Sequence, residues 1–405
     1  MRRMLLAYTV NELGTWFGYV ALAVGVYDHT HSAIATAALF VARGVLPALF
    51  APLLVARVER SGRRGVLAGV YAVEALLTLG LAALLWRFSL AGVLVLVAFD
   101  GIAAVAATAV VRATGARIAD QEEEGEAAQR RANASLNIAF MVAFAAGPAI
   151  GGVLVSAVGG PLALLGDAIS FALCALFLLD FSATVSEEER DVSIRARLGG
   201  ALRHVQGLPA LRMLLGVEAV ALVFFSSVEA IEVIYVKRAL SSGDFGLGLL
   251  LGLWGLGAAF GAVVFARLPK QSLAVMLTVG TFLVGIAYLG YAAAPTLALA
   301  SIAAIVGGVG NGIHWPAFVG SVQRLTPSGL QGQLMGAIGS MGVLCPSIGF
   351  AMGGLITALG TTRIAMLVAG GVATASTVAF MRISVLYLDA AADAPAEATT
   401  ASSPD

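Results

Sequence analysis

Long apolar stretches separated by short polar turns account for most of the chain. A helix that crosses the hydrocarbon core of a bilayer needs about 20 predominantly apolar residues. By that measure the pattern predicts twelve spans, at 4–27, 32–56, 65–86, 89–111, 134–158, 161–181, 211–236, 245–266, 272–293, 296–322, 330–359 and 361–387. Most gaps are tight turns of Gly, Pro, Ser, Asp or His, and the two broad polar gaps are 112–133 and 182–210. The expectation is an all-α integral membrane protein of twelve transmembrane helices in two six-helix bundles, 1–181 and 211–388. A cytoplasmic linker, 182–210, joins them, and a disordered cytoplasmic tail of Ala, Thr, Ser, Pro and acid follows at 389–405. The apolar run behind Met1-Arg2-Arg3 continues for a full span and contains Asn11 and Glu12, so it reads as an uncleaved first helix rather than a signal peptide.

The two halves share a faint repeat. Gly147-Pro148-Ala149-Ile150-Gly151 in span 5 returns as Cys345-Pro346-Ser347-Ile348-Gly349 in span 11, with the prolines 198 residues apart. Gly101-Ile102, with Arg112 at the end of span 4, is echoed by Gly312-Ile313, with Arg324 at the end of span 10. A Pro inside a water-exposed helix costs about 3 kcal/mol and a Gly about 1. In a membrane helix both are tolerated where neighbouring helices re-satisfy the backbone and fill the gap. Breaks at matching places point to a duplicated protein whose helices bend or pack closely.

Composition agrees with the pattern. The chain is 59% hydrophobic and 12% charged, with a mean hydropathy of +0.93, whereas a soluble domain is about 25% charged. The net charge of zero hides a sorting by position. With the N-terminus inside, nineteen Lys and Arg fall on the inner side and four, Arg87, Lys237, Arg238 and Arg363, on the outer, leaving Arg43 within span 2. The positive-inside rule then places both termini in the cytoplasm of a cell-membrane protein. The linker opens with Glu187-Glu188-Glu189 and turns basic through Arg203; a bridging helix along the inner face and a plain flexible linker both remain open. Cys174 and Cys345 sit in apolar runs, read as small buried hydrophobes, and give no disulfide or zinc spacing. No Gly-x-x-x-x-Gly-Lys-Ser/Thr loop, His-Glu-x-x-His motif or Gly-x-Ser-x-Gly elbow occurs, so neither an ATP engine nor an enzyme is expected. The cofactor expectation is none, with a proton gradient as the energy source, and no metal.

Between spans 2 and 3 the chain reads Val55-Ala56-Arg57-Val58-Glu59-Arg60-Ser61-Gly62-Arg63-Arg64. This resembles the loop signature of the major facilitator superfamily. Glu59 takes the acidic place, Arg60, Gly62, Arg63 and Arg64 take the others, and Val55 stands where the signature opens with Gly. A carboxylate at a helix end can pair with Arg and hold one state of a rocking bundle; the blander reading is that the Arg cluster only sets topology. Span 5 is similar to a motif of exporters in that superfamily, with Gly147, Pro148, Gly151 and Gly152 matching and Ala143 in place of the first Gly. Asp167-Ala168-Ile169-Ser170-Phe171 and Gln323-Arg324-Leu325-Thr326-Pro327 also resemble family segments. The resemblance runs over residues 4–388, is nearest to the drug and siderophore exporters (drug:proton antiporters), and implies two bundles rocking about a central cavity. It also implies that spans 3 and 6 are peripheral, which gives Glu74 and Asp167 low functional weight.

Ionisable groups inside spans cost about 2.5–3.5 kcal/mol each on insertion scales and are functional candidates by default. In span 7, Glu218, Glu229 and Glu232 are spaced 11 and 3 and fall on one face at 100° per residue, joined by Phe225. That face reads as an acidic wall, with surface ion pairs from Glu229 and Glu232 to Lys237 and Arg238 as the rival. In span 1, Glu12, Trp16 and Tyr19 follow i, i+4, i+7, which suits an amphipathic or cationic substrate through charge and cation–π contact. Arg43 and Asp100 lie at equal depth and could pair. Asn311 and His314 cluster in span 10, where a packed structural His and a proton carrier both remain open. The reading that results is a secondary active transporter, proton-coupled and exporting a small amphipathic compound by alternating access. It works on protons and a small molecule within the lipid bilayer, as a monomer and without nucleic acid. Uptake or symport by the same fold is the second reading, and a non-transporting scaffold or sensor the third.

Overall fold

The computed structural model describes residues 2–61, 65–120, 125–179 and 203–383. These form twelve long helices: α1 (Arg2–Thr30), α2 (Ala33–Ser61), α3 (Val66–Trp86), α4 (Leu90–Asp120), α5 (Gly125–Val158), α6 (Gly160–Phe177), α7 (Pro209–Glu229), α8 (Asp244–Arg267), α9 (Leu273–Ala293), α10 (Leu297–Arg324), α11 (Ser328–Leu359) and α12 (Thr362–Ile383). Ten of them, α3 to α12, contain stretches long and apolar enough to cross a membrane. In α1 the apolar run is diluted by Asn11, Glu12, Thr15 and Trp16, and in α2 the apolar stretch is Ala33–Pro47. Leu76, Ile138, Phe260 and Leu355 are among the many large apolar side chains left exposed. A surface of that kind is at home in hydrocarbon, where no backbone group finds water and each helix satisfies its own.

Helix neighbours repeat with an offset of six. In the first half α1 packs on α5 and α6, α2 on α4, and α3 on α4 and α6. In the second half α7 packs on α11 and α12, α8 on α10, and α9 on α10 and α12. The duplicated sequence signals sit at equivalent contacts. A Cβ at Gly101 of α4 would lie 2.7 Å from Pro47 of α2, and one at Gly312 of α10 would be forced into Ala258 of α8. The halves meet through α5 against α8 and α2 against α11, contacts that the same offset exchanges.

Small residues allow these approaches. A Cβ at Gly147 would stand 2.6 Å from Trp16 Cβ, and one at Gly151 3.1 Å from Phe17 Cα, so both face α1. Gly152 faces the other way: its Cβ would lie 2.6 Å from Gly248 Cα on α8, across the halves. The span 11 copy does the same work in mirror order, with Gly349 on Val223 and Ser226 of α7, and Gly354 on Ala33 and Ala37 of α2. Small-residue faces permit this closeness without a hydrophobic driving force, which lipid does not supply.

α7 does not run straight to its end. It stops at Glu229, turns at Ala230–Ile231, resumes over Glu232–Ile234 and closes with a π-helical turn, Tyr235–Ala239. The β-branched run Ile231, Val233, Ile234 and Val236 crowds a regular helix there. Within the linker, residues 203–207 are helical and His204 Nε2 donates to the Leu325 carbonyl at 3.1 Å. Residues 182–202 of the linker, the tail 389–405, and Gly62, Arg63 and Arg64 of the loop signature lie outside the described residues.

Candidate translocation site

Two adjoining cavities lie between the halves. The first, about 220 Å³, is lined by Trp16 and Tyr19 of α1, Phe144 of α5, Phe225 and Glu229 of α7, Glu232 just beyond it, Trp254 of α8, Tyr288 and Tyr291 of α9, and Asn311 of α10. The second, about 300 Å³, is lined by Glu12, Trp16, Tyr19, Phe40, Arg43, Phe140, Glu229 and Phe350. Trp16, Tyr19 and Glu229 belong to both. Tyr19 Oη donates to Glu229 Oε1 at 3.0 Å, so a hydrogen bond from the first half to the second stands where the two cavities meet.

Aromatic rings form most of the lining. Trp16 lies 5.5 Å from Tyr19 and edge-on to Phe144 at 5.1 Å, Trp254 stacks on Tyr288 at 5.6 Å, and Phe40 meets Phe350 at 5.4 Å across α2 and α11. The Trp16 Nε1 donor is buried without a hydrogen-bond partner among the described residues. Tyr291 Oη donates to Glu232 Oε1 at 3.4 Å and Tyr235 Oη to the Tyr291 carbonyl at 2.6 Å, which ties the broken end of α7 to α9. The first cavity therefore combines a ring of π faces with two carboxyl groups, and among the described residues no Lys or Arg lines it.

The acidic wall expected along α7 is corrected by the structure. Glu229 and Glu232 do line the first cavity, but the helix breaks between them, so helical phasing no longer relates Glu232 to Glu218. Glu218 turns into the second half, where its carboxylate meets His314 Nε2 at 3.0 and 3.2 Å. His314 Nδ1 lies 2.9 Å from Thr281 Oγ1, whose hydroxyl donates to the Leu277 carbonyl at 2.8 Å. The ring therefore bridges the Glu218 carboxyl group and the Thr281 hydroxyl. His314 is thus a partnered core residue, 2% exposed, joining α7, α9 and α10. Asn311, one turn earlier, reaches the first cavity.

The rival reading of Glu229 and Glu232 as partners of Lys237 and Arg238 is also overturned. Lys237 pairs with Asp28 of α1 and, at 2.7 Å, with Asp244 of α8. Arg238 donates to the His31 carbonyl at 3.0 Å and lies 5.6 Å over the Tyr27 ring. Both side chains fasten the halves at the end of the molecule that carries the α1–α2 turn. Arg43 and Asp100 share a small cavity with Thr78 and Asp167, but the pair is not one of the direct ion pairs among the described residues. α3 and α6 contribute no residue to either central cavity, as expected, yet Glu74 and Asp167 point inward and are buried. Glu59 and Arg60 fall in the last turn of α2. Ranking charged positions does not find Phe144, Trp254, Tyr288 and Tyr291; the signal the sequence offers is the Tyr288/Tyr291 spacing of three on either side of Gly290.

Two matched sets of six helices enclosing an aromatic and acidic cavity define a membrane carrier for small molecules. The chain belongs to the Major Facilitator Superfamily, whose sequence profile matches residues 4–349. It is a multi-pass membrane transporter and not an enzyme. It is 26% identical over 366 residues to the multidrug efflux pump Tap of Mycolicibacterium fortuitum, with 87% of each chain covered. It is 24% identical over 323 residues to the multidrug efflux pump Tap of Mycobacterium tuberculosis, with 77% of this chain and 76% of the relative covered. Its fold matches a point mutant of the nucleoside transporter NupG with a TM-score of 0.75 at 12% identity, covering 94% of this chain and 98% of that one. A bacterial homologue of the iron transporter ferroportin in an inward-facing state matches at 0.73 and 16% identity, covering 95% and 98%.

Proposed function

We propose that the protein is a proton-coupled exporter of a small amphipathic, cationic compound. The observation that carries this reading is the first cavity, where aromatic rings and two carboxyl groups face one space without a basic residue. Such a lining attracts a cation through charge and through the π faces. A carboxyl group that binds either a proton or the cation exchanges one for the other, which is antiport. Glu229 is the residue placed to do so, because its bond to Tyr19 spans the halves. The efflux pumps among its relatives favour export over uptake, and a family of transporters leaves little room for a scaffold or sensor.

In this reading all twelve long helices cross the cell membrane, both termini are cytoplasmic, and residues 2–179 and 209–383 rock as two bodies of one monomer. The Lys237, Arg238 and Gly152–Gly248 contacts then lie at the outer end and hold it closed. The test is transport into inverted vesicles carrying the protein, across a panel of fluorescent cationic dyes and antibiotics. Uptake that stops when the pH gradient is collapsed is the expected result. Uptake unchanged by the collapse ends the proton reading, and no flux of any panel member ends the exporter reading.

A further inference from the structure

Behind the second cavity lies a pocket that the exporter reading does not use. It is enclosed by α1, α2, α3, α4 and α6 and lined by Thr15, Arg43, Thr78, Asp100 and Asp167. Its free space is about 10 Å³, close to the room needed for one water molecule. Asp100 is 7% exposed, and its Oδ1 is buried there without a hydrogen-bond partner. The Asp167 carboxylate sits against Gly14 and Gly18 of α1, where any Cβ would collide with it; the Ser170 hydroxyl donates to the Asp167 backbone carbonyl at 2.7 Å and lies 3.4 Å from Oδ1. One turn before Thr78, Glu74 is fully buried, and neither of its carboxyl oxygens has a hydrogen-bond partner among the described residues.

The charges do not balance. Around Asp100, the titratable or charged side chains on the packed helices are Tyr8 and Glu12 of α1, Arg43 of α2, Tyr71 and Glu74 of α3, and Asp167 and Cys174 of α6; α5 offers none among its described side chains. One guanidinium cannot neutralise Glu74, Asp100 and Asp167 together, and an uncompensated buried charge costs several kcal/mol. Protons are the ligand that repairs this without space. Arg43 also lines the second central cavity with Glu12 and Glu229, so its charge is shared between substrate space and pocket.

We propose that Asp100 and Asp167 form a proton-binding site separate from the substrate cavity, with Arg43 as the positioning residue that couples the two. The proposal rests on the proton-coupled reading above. While the guanidinium faces the pocket, one of the two aspartates is ionised and the other carries the proton. When Arg43 is drawn towards Glu12 and Glu229, one proton enters and forms an O–H bond on the ionised carboxylate. The pocket loses one positive charge and gains one, so its net charge is unchanged. The return of Arg43 expels that proton.

The test needs no substrate. Purified wild-type protein in lipid nanodiscs is titrated over about pH 5 to 9, the range reached by buried carboxyls, and the infrared carbonyl stretch of protonated carboxylic acid is followed. The expected wild type shows a titrating band that is lost in Asp100→Asn and in Asp167→Asn and retained in Glu229→Gln. Arg43→Gln, which removes the opposing charge, displaces the titration to higher pH by about one unit or more, and Arg43→Lys, which keeps a charge there, returns it towards the wild-type midpoint; a midpoint unmoved by Arg43→Gln removes Arg43 from the proposal. A wild type with no titrating band, a band that persists in whichever aspartate variants fold, or a midpoint set by sodium concentration overturns the site. Gradient-driven vesicle transport reports on the exporter reading independently: a titrating band without it sinks the exporter and keeps the site.

Discussion

Tyr19 and Glu229, 210 residues apart in sequence, meet at 3.0 Å and tie α1 to the end of α7 across the two halves. A hydrogen bond to a charged acceptor contributes about 1.5–3 kcal/mol net, enough to shift a two-state equilibrium about tenfold or more. Tyr19→Phe keeps the ring contacts with Trp16 and Phe40 and removes only the donor. It is expected to enlarge the population in which the halves separate at this end. Distances between spin labels at the exposed positions His31 and Ser241 measure that population, and an unchanged distribution refutes the latch. Glu229→Gln is expected to lower export at least about tenfold while leaving the fold intact.

The Glu218–His314 pair is expected to behave as structure rather than as a carrier. Removing one partner of a buried hydrogen-bonded pair leaves the other unsatisfied, at about 1–3 kcal/mol. Glu218→Ala should therefore lower the melting temperature in detergent sharply, and adding His314→Ala should cost less than the sum of the two single changes. Additive losses would show that the two residues do not act together.

Side chains introduced between α5 and α8 should lock the transporter. A Cβ at Gly152 meets Gly248 Cα at 2.6 Å, whereas one at Gly339 meets nothing within 4 Å. Gly152→Val is expected to abolish export by excluding the state seen here, with normal insertion, and Gly339→Ala to leave it unchanged. Export retained by Gly152→Val would mean that the close approach is dispensable.

The prolines of the repeat are not equivalent. Pro148 is buried, and its carbonyl lies where a Cβ on Gly248 would come within 2.6 Å, while Pro346 is half-buried. Pro148→Ala is expected to slow switching more than Pro346→Ala, measured as turnover in vesicles under the same gradient. Equal effects would show that the bend matters and its position does not.

Much of this was legible in the chain itself. Apolar run length is a local property, so the helices emerge from it within a few residues, and the Gly101/Gly312 and Gly151/Gly349 echoes mark real equivalent contacts. Glu12, Trp16 and Tyr19 share a face because α1 is continuous through them. Glu229 and Glu232 do not obey the same argument, because a break at Ala230–Ile231 resets the phase. The approach of α10 to α7 that gives Glu218 its histidine is a tertiary fact with no local signature. A peripheral place for α6 gives Asp167 little weight in the sequence, but a peripheral helix still has an inward face, and Gly14 and Gly18 on α1 make room for the carboxylate on it.

The halves touch largely through backbone and methyl groups: Gly152 on Gly248, Gly252 on Ala149, Gly255 on Ala145, Gly354 on Ala37, and Gly44 on the Ser347 hydroxyl. Apart from the Phe40–Phe350 ring contact, these glycine contacts leave few long side chains to unthread when the seam parts. It acts as a smooth bearing, so the barrier to rocking falls on the few polar clasps that bridge it, at Tyr19, Lys237 and Arg238. The speed of the cycle is then set by a handful of side chains, and can be retuned by changing them while the bearing surfaces stay as they are.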